Sequence, residues 1–480
     1  MNTAMEHTTH LHDAIIIGSG AGGAPVAWEL CKNGWDVVML EQGQILRPAS
    51  PPAILEKYYT AQGFTISVNG GNTIVLAGSA VGGTTAINSG TCLRPLKECL
   101  AEWDEQTRMG FSDGLLDPFF PKVEKQLGVC VPDRSLLSRS ATKFNEGMQK
   151  LRGEQTFILP RNAPGCTAKG LCCVCCPTKA KQSTDLSYLP EAVENGLQLL
   201  IGTKAIAIKE NTDHVHVRTD KNGVQQDLRA RNLIISAGAL NTPGILKKNR
   251  IGTSYGKAGD HLRIHPANKV FAHFPGLKHG PGGIPQGTGY RPKELPRITL
   301  EGIHTPQSMT GPIIAAAGHR FNWWMKHHDD MASFGLMVRD RGHGKVRQYG
   351  NFPTLRYRIH KDDAKDVVEG LKLIARTFFA AGAERVLLPF VGPNEIEFEH
   401  ADQLNSIDAA KIKGTDIILS GFHPQGTAGI GRVVDGDLKV FGSQRTYVCD
   451  ASVLPNSPGV NPQVAIMAFA HRLAEKLMKQ

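Results

Sequence analysis

The stretch HDAIIIGSGAGGAPVAWELCKNGWDVVMLEQG, His12 to Gly43, constrains the fold more than any other part of this chain. Ala14 to Ile17 is a short apolar run, and it predicts a buried parallel strand. It runs into Gly18, Gly20 and Gly23, which have the G-x-G-x-x-G spacing. Helical periodicity follows, with Val26 and Leu30 on one face, until Gly34 stops it. Trp35 to Leu40 reads as a second strand, ending in Glu41. Each part has a physical use. Gly18 makes the tight turn, and Gly20 admits a pyrophosphate to the helix N-terminus. Gly23 lets helix and strand pack closely, and Glu41 is placed to accept a ribose hydroxyl. An acid at 41 disfavours a 2′-phosphate, which leaves FAD or NAD. The motif alone does not choose between them.

Composition narrows the class. At 480 residues the chain can form two domains or one elaborate one. Its 54 Lys+Arg against 44 Asp+Glu give a net charge of +10, but no basic run exceeds the KK of LKKNR. No aromatic residues interleave with those charges, so a nucleic-acid partner is not expected. No stretch approaches the roughly 18–20 apolar residues of a membrane span. The start, MNTAMEHTTHLHD, lacks a basic segment followed by an apolar run, so a cytoplasmic location with reduced thiols is expected. Export with a partner subunit and peripheral membrane contact are both compatible with that reading.

Three further segments carry a family resemblance. Gly78–Arg94, GSAVGGTTAINSGTCLR, is a second Gly-rich turn. Asn232–Gly252, NLIISAGALNTPGILKKNRIG, is an apolar strand, a small-residue turn and a helix. GFHPQGTAG and YVCDASVLPNSPGVNPQVAIMAFA follow near the C-terminus. In this order the chain resembles the glucose–methanol–choline (GMC) family of FAD-dependent oxidoreductases, closest to its long-chain-alcohol, sterol and membrane-linked sugar dehydrogenase branch. The resemblance implies an α/β fold (α+β overall), with a discontinuous Rossmann-like FAD-binding domain and an inserted substrate domain on an antiparallel sheet. The FAD-binding pieces are expected at 1–95, 190–256 and 410–480, a connecting region with the Cys-rich segment at 96–189, and the substrate domain at 257–409. Within the last, GKVRQYGNFPTLRYR reads as a hairpin, followed by a helix with Asp362 or Asp363 near its start and Gly382 near its end.

By the same resemblance, Gly18, Gly20, Gly23 and Glu41 hold the ADP half of FAD, and the backbone at Ala205 meets adenine. Gly82, Gly83 and Asn88 lie along the flavin. Asp450 and Ala451 meet the pyrophosphate–ribityl region, with Asn461, Pro462 and Gln463 at the pyrimidine edge. Asp450 also reads as a turn former, and Asn461 as a helix N-cap. The second turn lacks the histidine some members use to bond flavin covalently, so FAD is expected to be dissociable.

The expected chemistry is oxidation of a small-molecule alcohol to an aldehyde or ketone. That needs a base for the O–H proton and an acceptor for the C–H hydride, the flavin N5. His423 falls where the family places its catalytic histidine. Asn461 falls on the second member of the pair, able to orient the alcohol oxygen but not to act as a base.

Five of the ten cysteines crowd GCTAKGLCCVCCPTKAK. Cys166, Cys172 and Cys176 form C-x5-C-x3-C-P, which resembles the segment holding a three-iron cluster in bacterial FAD-dependent sugar dehydrogenases. A 3Fe-4S cluster is therefore expected, or a 4Fe-4S cluster if Cys173 or Cys175 joins. Zinc, a disulfide and free thiols are the competing readings. A cluster implies a dehydrogenase that delivers electrons to a protein acceptor or quinone. Without one, an oxidase making hydrogen peroxide is the alternative, and a non-catalytic flavin electron carrier a second. Finally, RFNWWMKHH, Arg320–His328, reads as a lid or membrane contact, or as a packed helix of the substrate domain.

Overall fold

The computed structural model describes residues 6–63, 65–67, 73–280, 282–350, 352–392 and 396–480. It is a mixed α/β fold organised on two large sheets. The first sheet is nucleated by the glycine-motif unit. Strand β1 (Glu6–Ile17) leads through the turn into helix α1 (Gly23–Lys32) and back to strand β2 (Val37–Glu41). β1 lies between β2 and strand Val224–Ile235, parallel to both, with Ile15 opposite Val38 on one side and Leu233 on the other. Strands Gln198–Ile201 and Thr446–Val448 extend the parallel part, and Val215–Lys221 and Lys204–Glu210 add an antiparallel flank.

The all-apolar run of β1 is explained by burial on both faces. Ala14, Ile15 and Ile16 have no exposed surface. α1 buries Ala24, Val26, Ala27 and Leu30, and the chain leaves it through Gly34 at a φ of 79°. Helix Gln463–Met478 packs beside α1 and is buried over most of its length.

The second sheet has ten strands, its centre being Pro266–His273, Met331–Val338 and Ile298–Gly302, all antiparallel. It also draws in Thr73–Val75, Phe157–Ile158 and Leu419–Gly421, from outside 257–409. Alternation along these strands separates two faces. Val270, Ala272, Phe334, Leu336, Ile298 and Leu300 pack in one apolar cluster with helices Arg139–Arg152 and Lys361–Ala380. Val367, Val368, Leu371, Ile374 and Phe378 of the longer helix are wholly buried there. At about 1.5–3 kcal/mol each, those five side chains contribute on the order of 10 kcal/mol against the entropy of ordering them. The opposite face, with Lys269, Glu301 and Met337, looks into a cavity between the two sheets.

The expected hairpin is present as strands Gly344–Tyr349 and Phe352–Arg356, and the helix after it carries Asp362 and Asp363 in its first turn. RFNWWMKHH forms most of helix Gly318–Lys326 and the turn beyond it. Trp324 is fully buried against Phe271, Met331 and Leu387, as in the packed-helix reading. Among the described residues no helix is long and apolar enough to cross a membrane.

Candidate active site

The cavity has a volume of about 1370 Å³, above the roughly 300–1,000 Å³ of sites for drug-sized ligands. It runs from Gly18, Gly20, Glu41 and Ala205 past Gly83, Asn88, Asp450 and Ala451 to Asn461, Pro462, Gln463 and His423. Of the expected FAD residues only Gly23 and Gly82 stay out of its lining, and both have structural work instead. A Cβ on Gly23 would lie 2.0 Å from the Gly18 carbonyl oxygen, so helix and turn meet there backbone to backbone. Gly82 donates its N–H to Ser19 Oγ at 2.9 Å, tying the second Gly-rich turn to the first.

Glu41 is 6% exposed. Its carboxylate accepts from Ser19 N at 3.1 Å, Ser19 Oγ at 2.6 Å and Gly43 N at 2.7 Å. A carboxylate has about four lone-pair sites, so capacity for a hydroxyl remains. Burial raises its pKa, against the pull of those hydrogen bonds. Asp450 is pinned the same way. It accepts from Gly238 N at 2.9 Å, Thr242 Oγ1 at 2.6 Å and Ser452 N at 2.7 Å, the last capping the short helix Ala451–Val453. The turn-forming reading of Asp450 is therefore real, and its position in the cavity wall stands beside it. Asn88 donates to Gln463 Oε1 and accepts from Gly90 N, which joins the second turn to the start of the C-terminal helix. A long groove with glycine turns at one end and a rigid polar edge at the other fits FAD in extended form.

The cavity lining also holds His423 and Asn461, the two residues expected to act as a pair. His423 Nε2 is 3.4 Å from Asn461 Nδ2, and His423 Nδ1 is 3.1 Å from Nδ1 of His265. The amide N–H needs a lone pair on Nε2, so the His423 proton sits on Nδ1 and is donated to His265. Burial, then repulsion from His265, holds the His423 pKa well below its ordinary value, and the ring is a neutral base. Asn461 does not cap the helix, which has no side-chain cap. Its Oδ1 has no protein partner.

Sequence reasoning missed His265, Glu301 and Gln286. Glu301 is buried in the cavity wall. Its Oε2 accepts from Gln286 Nε2 at 2.5 Å, and the neighbouring Asn461 amide favours its charged form. Burial pushes this acid up to about 7. No motif marks these residues. Only alternation along Ile298–Gly302 could have turned Glu301 inward.

The cysteines are not positioned as a cluster, which corrects the expectation for Cys166, Cys172 and Cys176. Each sulfur is engaged separately. Cys172 Sγ accepts from buried Arg161 Nη2 at 3.2 Å, Cys166 Sγ accepts from Ala168 N at 3.4 Å, and Cys176 Sγ meets Thr178 Oγ1 at 3.6 Å. Cys173 faces the cavity, and all ten thiols are free. Among the described residues, the tight group of metal-ligand atoms is His10, His12 and Asp36, far along the chain from this segment. The segment acts as a brace instead. Lys181 is 2% exposed and donates to the carbonyls of Ala86, Asn88 and Cys172 at 2.8, 2.8 and 2.9 Å. Lys181→Met would leave those three carbonyls unpaired, at about 1–3 kcal/mol each. A loss of at least about 3 kcal/mol is expected in urea unfolding; an unchanged midpoint would show that the brace carries no stability.

Two family models described as GMC oxidoreductase match this chain, the N-terminal one at residues 55–267 and the C-terminal one at 344–470. An uncharacterized GMC-type oxidoreductase of Mycobacterium tuberculosis is 31% identical, over 97% of this chain and 75% of its own length. The chain belongs to the GMC oxidoreductase family. Another relative, a long-chain-alcohol oxidase of Arabidopsis thaliana, is 28% identical over 97% of this chain and 68% of its own. Pyridoxine 4-oxidase from Mesorbium loti shares the fold, with a TM-score of 0.74 and 18% identity over 98% of this chain and 99% of that one. The GMC fold thus accounts for the groove, and FAD is the dinucleotide it holds.

Proposed function

We propose that this GMC oxidoreductase oxidises the carbinol of a small-molecule alcohol. The observation that carries the reading is a neutral imidazole at the cavity end, His423, whose Nε2 shares its surroundings with the Asn461 amide. FAD bound in the groove supplies the hydride acceptor. His423 Nε2 takes the hydroxyl proton, and Asn461 turns its amide N–H to the substrate oxygen. His265 accepts from His423 Nδ1 and so holds the ring in the tautomer that leaves Nε2 free to take a proton. The relatives' names include alcohol oxidases, which supports the same substrate class.

The cysteines contribute no relay to this reading. Electrons leave to an acceptor that reaches the flavin directly, oxygen or a quinone. Hydrogen peroxide formed in step with alcohol consumed would support oxygen; turnover only with a quinone would support the other.

Anaerobic reduction of the flavin bands by a panel of alcohols tests the main reading, and no reduction by any of them would sink it. The pH profile adds a sharper test. A base works unprotonated, so the limiting rate is lost as pH falls through the His423 pKa. That pKa is lowered, so the rate should be flat at neutrality and fall only well below pH 6.5. A limb near pH 7 would trace instead to Glu301 or Lys269, the two cavity groups that burial brings to about 7, and its loss in Glu301→Gln would assign it to Glu301.

A further inference from the structure

The cavity face of the second sheet carries a row of three residues in register. Lys269 lies opposite Gly335, and Gly335 lies opposite Glu301. Directly paired residues share one face. All three line the cavity, and the Ile303 side chain packs over the glycine between the two ionisable side chains, its Cγ2 3.0 Å from where a Cβ would lie. Lys269 is 7% exposed. Its ammonium donates to Thr305 Oγ1 at 3.0 Å and stands 4.9 Å from the centre of the Phe271 ring. Among the described residues it has no carboxylate partner. An ammonium has three N–H donors, so one acceptor leaves its capacity unfilled. A buried charge without a counter-ion is expensive, and here burial pushes the group down to about 7, with only the Cys173 thiol drawing it back.

The dinucleotide does not supply the missing anion from its phosphates. Those belong at Gly18–Gly23 on the first sheet, whereas Lys269 is on the second, four residues beyond His265. That is about 13 Å of extended backbone from His265, the neighbour of His423. The wall near it is apolar, with Ile303, Met309, Ile313 and Met337. An alcohol held at His423 would extend along that wall, and its far end would meet the ammonium.

We propose that Lys269 anchors a carboxylate on the substrate, so that the preferred substrate class is a hydroxy acid with an apolar chain between its carbinol and its carboxylate. The proposal rests on the alcohol-oxidation reading for the carbinol end alone. The carboxylate end stands on the unpaired buried cation.

The experiment uses the FAD-loaded enzyme and two ligand series. ω-Hydroxyalkanoates and primary alcohols of equal length are compared by anaerobic flavin reduction, and simple alkanoates, which have no carbinol, by calorimetric titration. Wild type should bind alkanoates in preference to alkanols of equal length, and should reduce fastest, at low concentration, with hydroxy acids. Lys269→Met should lower the affinity for acid relative to alcohol by about 10–100-fold, the range of a hydrogen bond to a charged group. Lys269→Arg should keep the preference for acid. A wild type indifferent to the carboxylate overturns the proposal even if Lys269→Met fails to fold, and so does a Lys269→Met that keeps the preference. If alkanoates bind through Lys269 but no alcohol or hydroxy acid reduces the flavin, the anchor stands and the alcohol reading falls. If alcohols reduce the flavin and alkanoates do not bind, the reverse holds.

Discussion

His423→Ala should keep its FAD and lose about 10²–10⁴-fold in the rate of flavin reduction by substrate, the usual worth of a positioned base. The cofactor should stay because the dinucleotide turns lie at the other end of the cavity, held by Glu41, Ser19 and Asp450. The rate should fall because neighbouring groups cannot take over. Asn461 has no basic atom, and His265 is buried and does not line the cavity. The His265 pKa is itself pushed down to about 3 by burial, with Arg263 and Arg339 adding to the effect. Stopped-flow reduction at saturating substrate separates this from a binding defect. A variant that reduces at the wild-type rate puts the base elsewhere, with Glu301 the next group to test. His265→Phe should give a smaller loss, because it removes the acceptor that fixes the His423 tautomer and leaves the base itself in place.

How much of this was legible in the sequence differs by element. The glycine turn, α1 and Glu41 were readable because local constraints fix them. Period-two and period-3.6 patterns, a turn that admits only glycine, and an acid at a set distance all lie within one short segment. His423 and Asn461 were readable only by resemblance, since eighteen histidines give no internal reason to prefer one. The rest of the site comes from pairing across the second sheet. Lys269, Gly335 and Glu301 are far apart in sequence and meet through strand register, which no local pattern encodes. His265 is in the same position, held at a φ of 48° and brought to His423 because Pro266 pairs with Gly421. The cysteine segment misled for a related reason. Spacing shows which sulfurs could converge, but Arg161 and Lys181 decide where the loop goes, and they pull it onto the second Gly-rich turn.

Gly22 gives the strongest structural test of the cofactor groove, although it is not one of the three glycines of the motif. A Cβ added there would lie 1.7 Å from the Cys449 carbonyl oxygen and 2.6 Å from its carbon. That obstacle is backbone and cannot swing aside. Cys449 donates its N–H to the Ile235 carbonyl at 2.9 Å, and the next residue, Asp450, is fixed by three hydrogen bonds. Gly22 itself has a right-handed backbone, φ −89° and ψ −56°, which alanine tolerates. The penalty of Gly22→Ala is therefore purely steric. It must be met by moving α1 away from the strand Thr446–Val448, which opens the turn that receives the pyrophosphate. Overpacking of this kind costs about 1–3 kcal/mol even where side chains can adjust. Backbone against backbone should reach the top of that range, so FAD affinity should fall by about 100-fold or more. Gly34→Ala is the matched control. Its φ of 79° strains an alanine, but nothing lies within 4 Å of the added Cβ. The cost there is about 1 kcal/mol of backbone strain, and the flavin should be retained. Flavin-to-protein ratios after gel filtration read both variants. A Gly22→Ala protein with a full complement of FAD would mean that the turn yields where its hydrogen bonds say it cannot.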